Sequence, residues 1–152
     1  MSRRENEEYI IGYISLISNK IIQFGDLIMP DITFRQWFLL LMISRMDQQE
    51  KTINSIAEFV GSTRQNVKRM LDSLAKKGYV IIEKSSSDTR ALNVRLNQKA
   101  YQYFSENDKP LASEMNKLFS AFSEGEIANL AKALEKLLGA FDAYQKEKEN
   151  NE

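Results

Sequence analysis

Apolar residues recur at helical spacing along most of this chain and switch to strand-like alternation only once. From Glu5 to about Ile28, the positions Tyr9, Ile10, Tyr13, Ile14, Ile17, Ile21, Phe24, Leu27 and Ile28 predict one helix of about 24 residues, on the order of 36 Å long. Ile11, Leu16 and Ile22 widen its apolar surface until no whole side suits water, so a subunit interface is expected to bury the excess. Gly25 and then Met29 and Pro30 mark its end. Thr33 and Gln36 have capping-box spacing and open a second helix, Phe34 to Met46, with Trp37, Phe38, Leu40, Leu41 and Ile43 as its apolar surface.

After a polar turn, Asp47 to Glu50, the pattern becomes denser. Thr52 and Ile53 suggest a short strand, and Asn54 is expected to cap a helix from Ser55 to Val60 with Ile56, Ala57, Phe59 and Val60 inward. Gly61 stops that helix, and Ser62 or Thr63 caps the next. In it, Val67, Met70, Leu71 and Leu74 fall at i, i+3, i+4 and i+7. The opposite side carries Gln65, Arg69 and Lys76, with Asn66 and Lys68 on the shoulders, all able to donate to base edges and phosphates. Gly78 follows Lys76 and Lys77, where a helix needs a left-handed terminal residue. Tyr79 to Lys84 is β-rich, and Leu92, Val94 and Leu96 alternate with Ala91, Asn93 and Arg95. These segments predict a hairpin with one buried face. The connecting loop, Ser85 to Arg90, has no apolar residue and holds one arginine. Two helices joined through a glycine, then an arginine-tipped hairpin, predict a winged helix-turn-helix that binds DNA.

Beyond Leu96, Asn97 is placed to cap a helical region holding Tyr101, Tyr103 and Phe104. The run from Asn107 to Pro110 is expected to interrupt or kink it. Helix resumes through Leu111, Met115, Leu118, Phe119 and Phe122. Ser123 and Glu126 form another capping box, followed by a stripe of Ile127, Leu130, Ala131, Leu134, Leu137, Leu138 and Phe141. The charged tail after Tyr144 is expected to fray.

Charge refines the reading. The net charge of zero argues against nucleic acid until its distribution is considered. From Lys51 to Arg95 there are nine Lys/Arg against four Asp/Glu, while the rest of the chain holds twelve against seventeen. A basic middle between acidic ends is a local footprint, although a solvated charged face is the competing explanation. With neither cysteine nor histidine, the chain has no disulfide, no thiolate sensor and no ordinary zinc site. No cofactor is implied. Those two absences, with no GxGxxG and no GxxxxGK[ST], argue against an enzyme, and capping accounts for Glu124 and Glu126. The opening MSRRENEE lacks a signal-peptide pattern and no apolar run approaches a membrane span, so a cytoplasmic location is expected.

The arrangement resembles the MarR family of bacterial transcriptional regulators. The resemblance is carried by VGSTRQNVKRMLDSLAKKGYV, by Asp88, Thr89 and Arg90 in the wing, and by Val94, Arg95 and Leu96 after it. Thr33 to Gln36 and the segment Ser123 to Leu138 also look like the family's flanking helices. It implies a mainly α fold with a small β-hairpin, a winged helix-turn-helix flanked by N- and C-terminal dimerisation helices. The divisions are 1–32 for the N-terminal dimerisation helix, 33–96 for the DNA-binding lobe and 97–152 for the C-terminal helices, together one compact unit. It further implies a homodimer, a recognition helix in the major groove, a wing arginine in the minor groove and a wing acid, Asp88, bracing nearby basic residues. One departure is a wing tip of three consecutive serines with few extra positive charges.

The candidate DNA-binding residues are therefore Thr63, Arg64, Gln65, Asn66, Lys68, Arg69, Lys76 and Arg90, with Asp88 as wing support. Each has a plainer alternative: Arg90 as a loop anchor through Asp88, Arg64 as a structural ion-pair partner, Lys76 as a solvated lysine. Tyr13, Phe24 and Trp37 are candidates for an effector pocket that takes a small apolar or aromatic molecule, with ordinary core packing as the competing role. The function expected is sequence-specific double-stranded DNA binding by a homodimer on a pseudo-palindromic operator, as a repressor released by such an effector. The alternative is a winged-helix module for protein interaction without specific DNA binding.

Overall fold

In the computed structural model, which describes residues 1–151, the elements run α1 (Arg3–Ile28), α2 (Phe34–Arg45), α3 (Ile53–Val60), α4 (Arg64–Lys76), β1 (Val80–Lys84), β2 (Leu92–Leu96), α5 (Gln98–Leu118) and α6 (Glu124–Glu149). This is a mainly α, winged helix-turn-helix fold whose two strands pair antiparallel, with Val80 opposite Leu96 and Ile82 opposite Val94. The chain packs as two units, Met1–Asn107 and a second that begins at Asp108.

The core of the first unit is built where the amphipathic stripes meet. Leu39, Leu40 and Ile43 of α2, Ile56 of α3, and Val67, Leu71 and Leu74 of α4 are fully or almost fully buried, beside Tyr79, Val94 and Ala100. Capping boxes open α1 at Ser2 and Glu5 and α2 at Thr33 and Gln36. Gln36 does more than cap: it is buried, and its side-chain amide donates to Ser73 Oγ at 3.1 Å, tying α2 to α4.

Several local expectations change. Gly25 does not end α1; it lies inside the helix, where a Cβ would collide with the Phe34 side chain. Its role is close helix approach, and Asp26 beside it accepts the Phe34 N–H at 2.7 Å. The cap of α3 is Thr52, not Asn54, and the expected strand at Thr52 and Ile53 shrinks to one bridge, Thr52 to Asn93. Phe59 is 51% exposed rather than inward, because α3 is only eight residues long and its buried side is already filled by Ile53, Ile56 and Ala57. Leu92 lies on the hairpin's inner face but overhangs the core and stays exposed. α5 runs without a break through Pro110, and α6 continues to Glu149 rather than fraying after Tyr144. Lys146 and Lys148 in its last turn suit the negative helix end.

Most large side chains of α1 are exposed, including Tyr9, Ile10, Tyr13 and Ile17, and α6 has no buried residue.

The close approach at Gly25 yields a stability prediction. Gly25→Ala normally favours a helix, but here the new methyl meets Cβ and Cγ of Phe34, each at 2.6 Å, which a ring rotation cannot relieve. The expected result is a loss of about 1–3 kcal/mol. Reversible denaturation measures it, and an unchanged or raised stability would show that α1 and α2 separate at little cost.

Candidate nucleic-acid interface

The helix pair that carries the candidate surface turns at Gly61, whose φ of +66° is the left-handed conformation that a side chain resists. Thr63 then caps α4, its hydroxyl oxygen accepting the Asn66 N–H at 3.2 Å. The Thr63 O–H remains a donor to a ligand. With Val67, Leu71 and Leu74 at zero exposure, rotation of α4 is fixed, and Arg64, Gln65, Asn66, Lys68, Arg69 and Lys76 are all exposed.

These side chains are not equally free. Arg64 sits at the first position of α4, where a cation opposes the helix dipole and no acid is present to offset it. It meets no carboxylate; its guanidinium donates to Asn54 Oδ1 at 2.5 Å, so its charge is oriented but not neutralised. Lys68 pairs with Asp72 at 2.7 Å, a half-exposed bond of little net strength. Among the described residues, Gln65, Arg69, Lys76 and Arg90 have no side-chain hydrogen bond or ion pair.

The wing is held at its base and along its loop. Val94 N–H donates to the Lys51 carbonyl at 2.8 Å, and Lys51 N–H to Asn93 Oδ1 at 2.9 Å. On the outer face Arg95 pairs with Glu83 at 3.0 Å. Asp88 Oδ1 accepts the backbone N–H of Arg90 at 2.9 Å. The wing acid thus braces the main chain that carries Arg90, leaving the guanidinium outward. The serine tip is not a loose polar cap: Ser85 is buried, and all three hydroxyls donate to Glu50 in the turn between α2 and α3.

A second polar cluster ties the α1–α2 corner to the end of α4. The Ile32 N–H bonds to the Pro30 carbonyl at 2.7 Å, a three-residue turn centred on Asp31 at φ +66°. This conformation is costly for any residue with a Cβ. Tyr79 donates its hydroxyl to the Asp31 carboxylate and Lys77 its ammonium to the Asp31 carbonyl. Tyr103 donates to the Pro30 carbonyl at 2.9 Å, and Lys99 lies 4.5 Å over the Tyr79 ring. The Tyr79 hydrogen bond holds the Asp31 carboxyl below its ordinary range against the opposing effect of desolvation, with help from Lys77 and Lys99. Burial, then Asp31, pushes the Tyr79 phenol up. Neither Asp31 nor Glu50 stood out in the sequence. The only local hint at Asp31 is its place after Pro30, a turn-forming pair.

Of the three aromatic residues named for an effector, Tyr13 and Phe24 lie on α1 and Trp37 on α2. Tyr13 stacks on Tyr9, with ring centroids 4.1 Å apart, and lies eleven residues from Phe24, roughly 16 Å along α1. Trp37 is half-buried against the core and 5.5 Å from the Phe34 ring, which in turn abuts Gly25 beside Phe24. Trp37 thus lies near the close approach of α1 and α2 at Gly25.

Residues 31–91 match the family model described as MarR family. The transcriptional repressor MprA of Escherichia coli is 23% identical over 133 residues, covering 86% of this chain and 76% of its own length. Among solved structures, the transcriptional regulator BldR from Sulfolobus solfataricus aligns with a TM-score of 0.80 at 19% identity, over 92% of this chain and 99% of that one. A MarR mutant from Escherichia coli complexed with operator DNA aligns at 0.75 with 23% identity, over 90% and 99%. The MepR–DNA complex of S. aureus aligns at 0.72 with 25% identity, over 84% and 95%. The matched stretch spans the helix pair and most of the wing, the part of the fold in which α4 and Arg90 are positioned, and over it the chain is similar to the MarR family.

Proposed function

We propose that this regulator is a homodimer that binds duplex DNA in a sequence-specific manner and represses transcription from a pseudo-palindromic operator in the cytoplasm. One observation carries the reading: α4 buries Val67, Leu71 and Leu74 completely and, among the described residues, leaves Gln65 and Arg69 without side-chain partners on the other side. Guanidinium and amide groups held in that way suit guanine and adenine edges in the major groove. Thr63, Arg64, Asn66, Lys68 and Lys76 flank them and suit phosphates, and Arg90 on the wing suits phosphate or the minor groove. The DNA complexes of MepR and of the MarR mutant support the partner, and the naming of MprA as a repressor supports the direction of control. The fold and the regulator names of its relatives favour a binding role over an enzymatic one. Among the described residues, no helix is long and apolar enough to cross a membrane.

Dimerisation rests on exposed apolar side chains on α1 and α6, such as Ile10, Ile17, Leu134 and Leu138. Water-facing surface of that extent marks an interface. For an effector, a small apolar or aromatic molecule is assigned to the aromatic residues Tyr13 and Phe24 of α1 and Trp37 of α2, where Trp37 lies near the approach of the two helices at Gly25.

The reading is tested by selecting bound sequences from random duplex DNA, which yields a half-site and its spacing. On the selected site, Arg69→Ala should cost about 1–3 kcal/mol and relax preference at one or two base pairs. Arg90→Ala should weaken cognate and scrambled duplexes nearly alike, and lower the salt slope by about 0.9 for each phosphate it no longer neutralises. Base preference altered by Arg90→Ala, with a uniform loss from Arg69→Ala, would reverse the two roles. No measurable duplex affinity at low salt would instead favour a protein-docking module.

Sedimentation at low micromolar concentration should show a dimer. A folded monomer under those conditions contradicts the assignment of α1 and α6 to an interface.

A further inference from the structure

Glu50 sits in the turn before α3, far in sequence from the wing, yet its carboxylate collects four of the wing's donors. Ser85 Oγ, Ser86 Oγ and Ser87 Oγ each approach it at 2.5 Å, and Ser86 N–H at 2.9 Å. A carboxylate has about four acceptor positions, so these donors saturate it. Ser85 is only 5% exposed, and its oxygen in turn accepts the N–H groups of Ser87 at 3.2 Å and Asp88 at 3.1 Å. Asp88 then accepts the Arg90 N–H at 2.9 Å. Hydrogen bonds therefore run unbroken from Glu50 to the backbone of the wing arginine.

From this chain of bonds we infer that Glu50 is the positioning residue of the wing, holding the serine tip in the shape that presents Arg90 to duplex DNA. The inference rests on the DNA-binding reading above. A simpler view makes Glu50 an ordinary acid beside a surface that must meet phosphates. The two views predict opposite signs. Removing a negative charge near DNA should tighten binding to any duplex by Coulomb's law alone. Removing the group that shapes the wing should weaken it. Glu50 stays ionised throughout the usual working range, because the three serine hydroxyls and the Ser86 N–H bring its pKa down to about 2.

The experiment measures affinity of the full-length protein for its selected duplex, comparing wild type, Glu50→Ala, Arg90→Ala and the double variant. Glu50→Ala should weaken binding roughly tenfold, within the range for coupled residues. In the Arg90→Ala background it should add almost nothing, while in an Arg69→Ala background the tenfold loss should persist. A general structural defect would act in all three backgrounds alike. Ser86→Ala combined with Ser87→Ala removes two donors without changing charge, and should weaken binding in the same direction even if Glu50→Ala folds poorly. Tighter or unchanged binding by Glu50→Ala, or an equal loss in the Arg90→Ala background, overturns the inference. Wild-type protein that binds no duplex overturns the regulator reading, and this inference with it.

Discussion

Burial of Val67, Leu71 and Leu74 on the inner side of α4 is the constraint on which the rest of the helix-turn-helix lobe depends. Val67, Leu71 and Leu74 are fully buried, with Met70 partly buried beside them, and rotation of the helix would expose them. Truncating one such leucine typically costs about 2–5 kcal/mol, so the helix has one favoured orientation. The polar side inherits that orientation without any bond of its own. Gln65 and Arg69 are placed by residues buried on the opposite side of the helix. The Gln36–Ser73 hydrogen bond adds a directional tie, which apolar packing by itself does not supply.

Two carboxylates at the edges of the lobe have structural roles that their residue type alone would not suggest. Asp31 anchors the corner between α1 and α2 to Tyr79 and Lys77, just beyond the end of α4. Glu50 gathers the wing serines. Each accepts hydrogen bonds from a distant segment, four donors on the Glu50 carboxylate and the Tyr79 hydroxyl on the Asp31 carboxylate, and so ties a loop to the lobe. The first connects the corner after α1 to the end of α4 through a short polar path. Tyr79 at that junction packs edge-on against Tyr103 and lies under Lys99.

The exposed faces of α1 and α6 contrast with this tight lobe. Leu138 is 63% exposed and Tyr144 58%, and the helices that carry them are closed by well-formed capping boxes rather than by packing. Caps and i,i+4 pairs such as Arg3–Glu7 contribute a few tenths of a kcal/mol to about 1 kcal/mol each. Burying such side chains contributes more, about 25 cal/mol for each Å² of apolar surface removed from water. Long helices of this composition are stable when another surface covers them.

The sequence by itself determined the helix order, the hairpin, the capping boxes at Thr33 and Ser123, and the polar side of α4. Those features follow from periodicity and from bonds spanning three or four residues, which are local. It misjudged Gly25, Phe59, the cap of α3 and the continuity of α5 and α6; for Gly25 and Phe59 the reason is how much room or burial a neighbouring element provides. Gly25 reads as a helix end unless the Phe34 ring is known to lie against it, and Pro110 is absorbed within a continuous α5. The three serines read as a weak wing tip because their acceptor, Glu50, lies far back in the chain. Only the tertiary structure decided which acids brace loops, that the aromatic side chains Tyr13 and Trp37 lie in different places, and that Arg64 meets an amide rather than a carboxylate. Those outcomes are set by interactions between residues distant in sequence, and no periodicity along the chain encodes them.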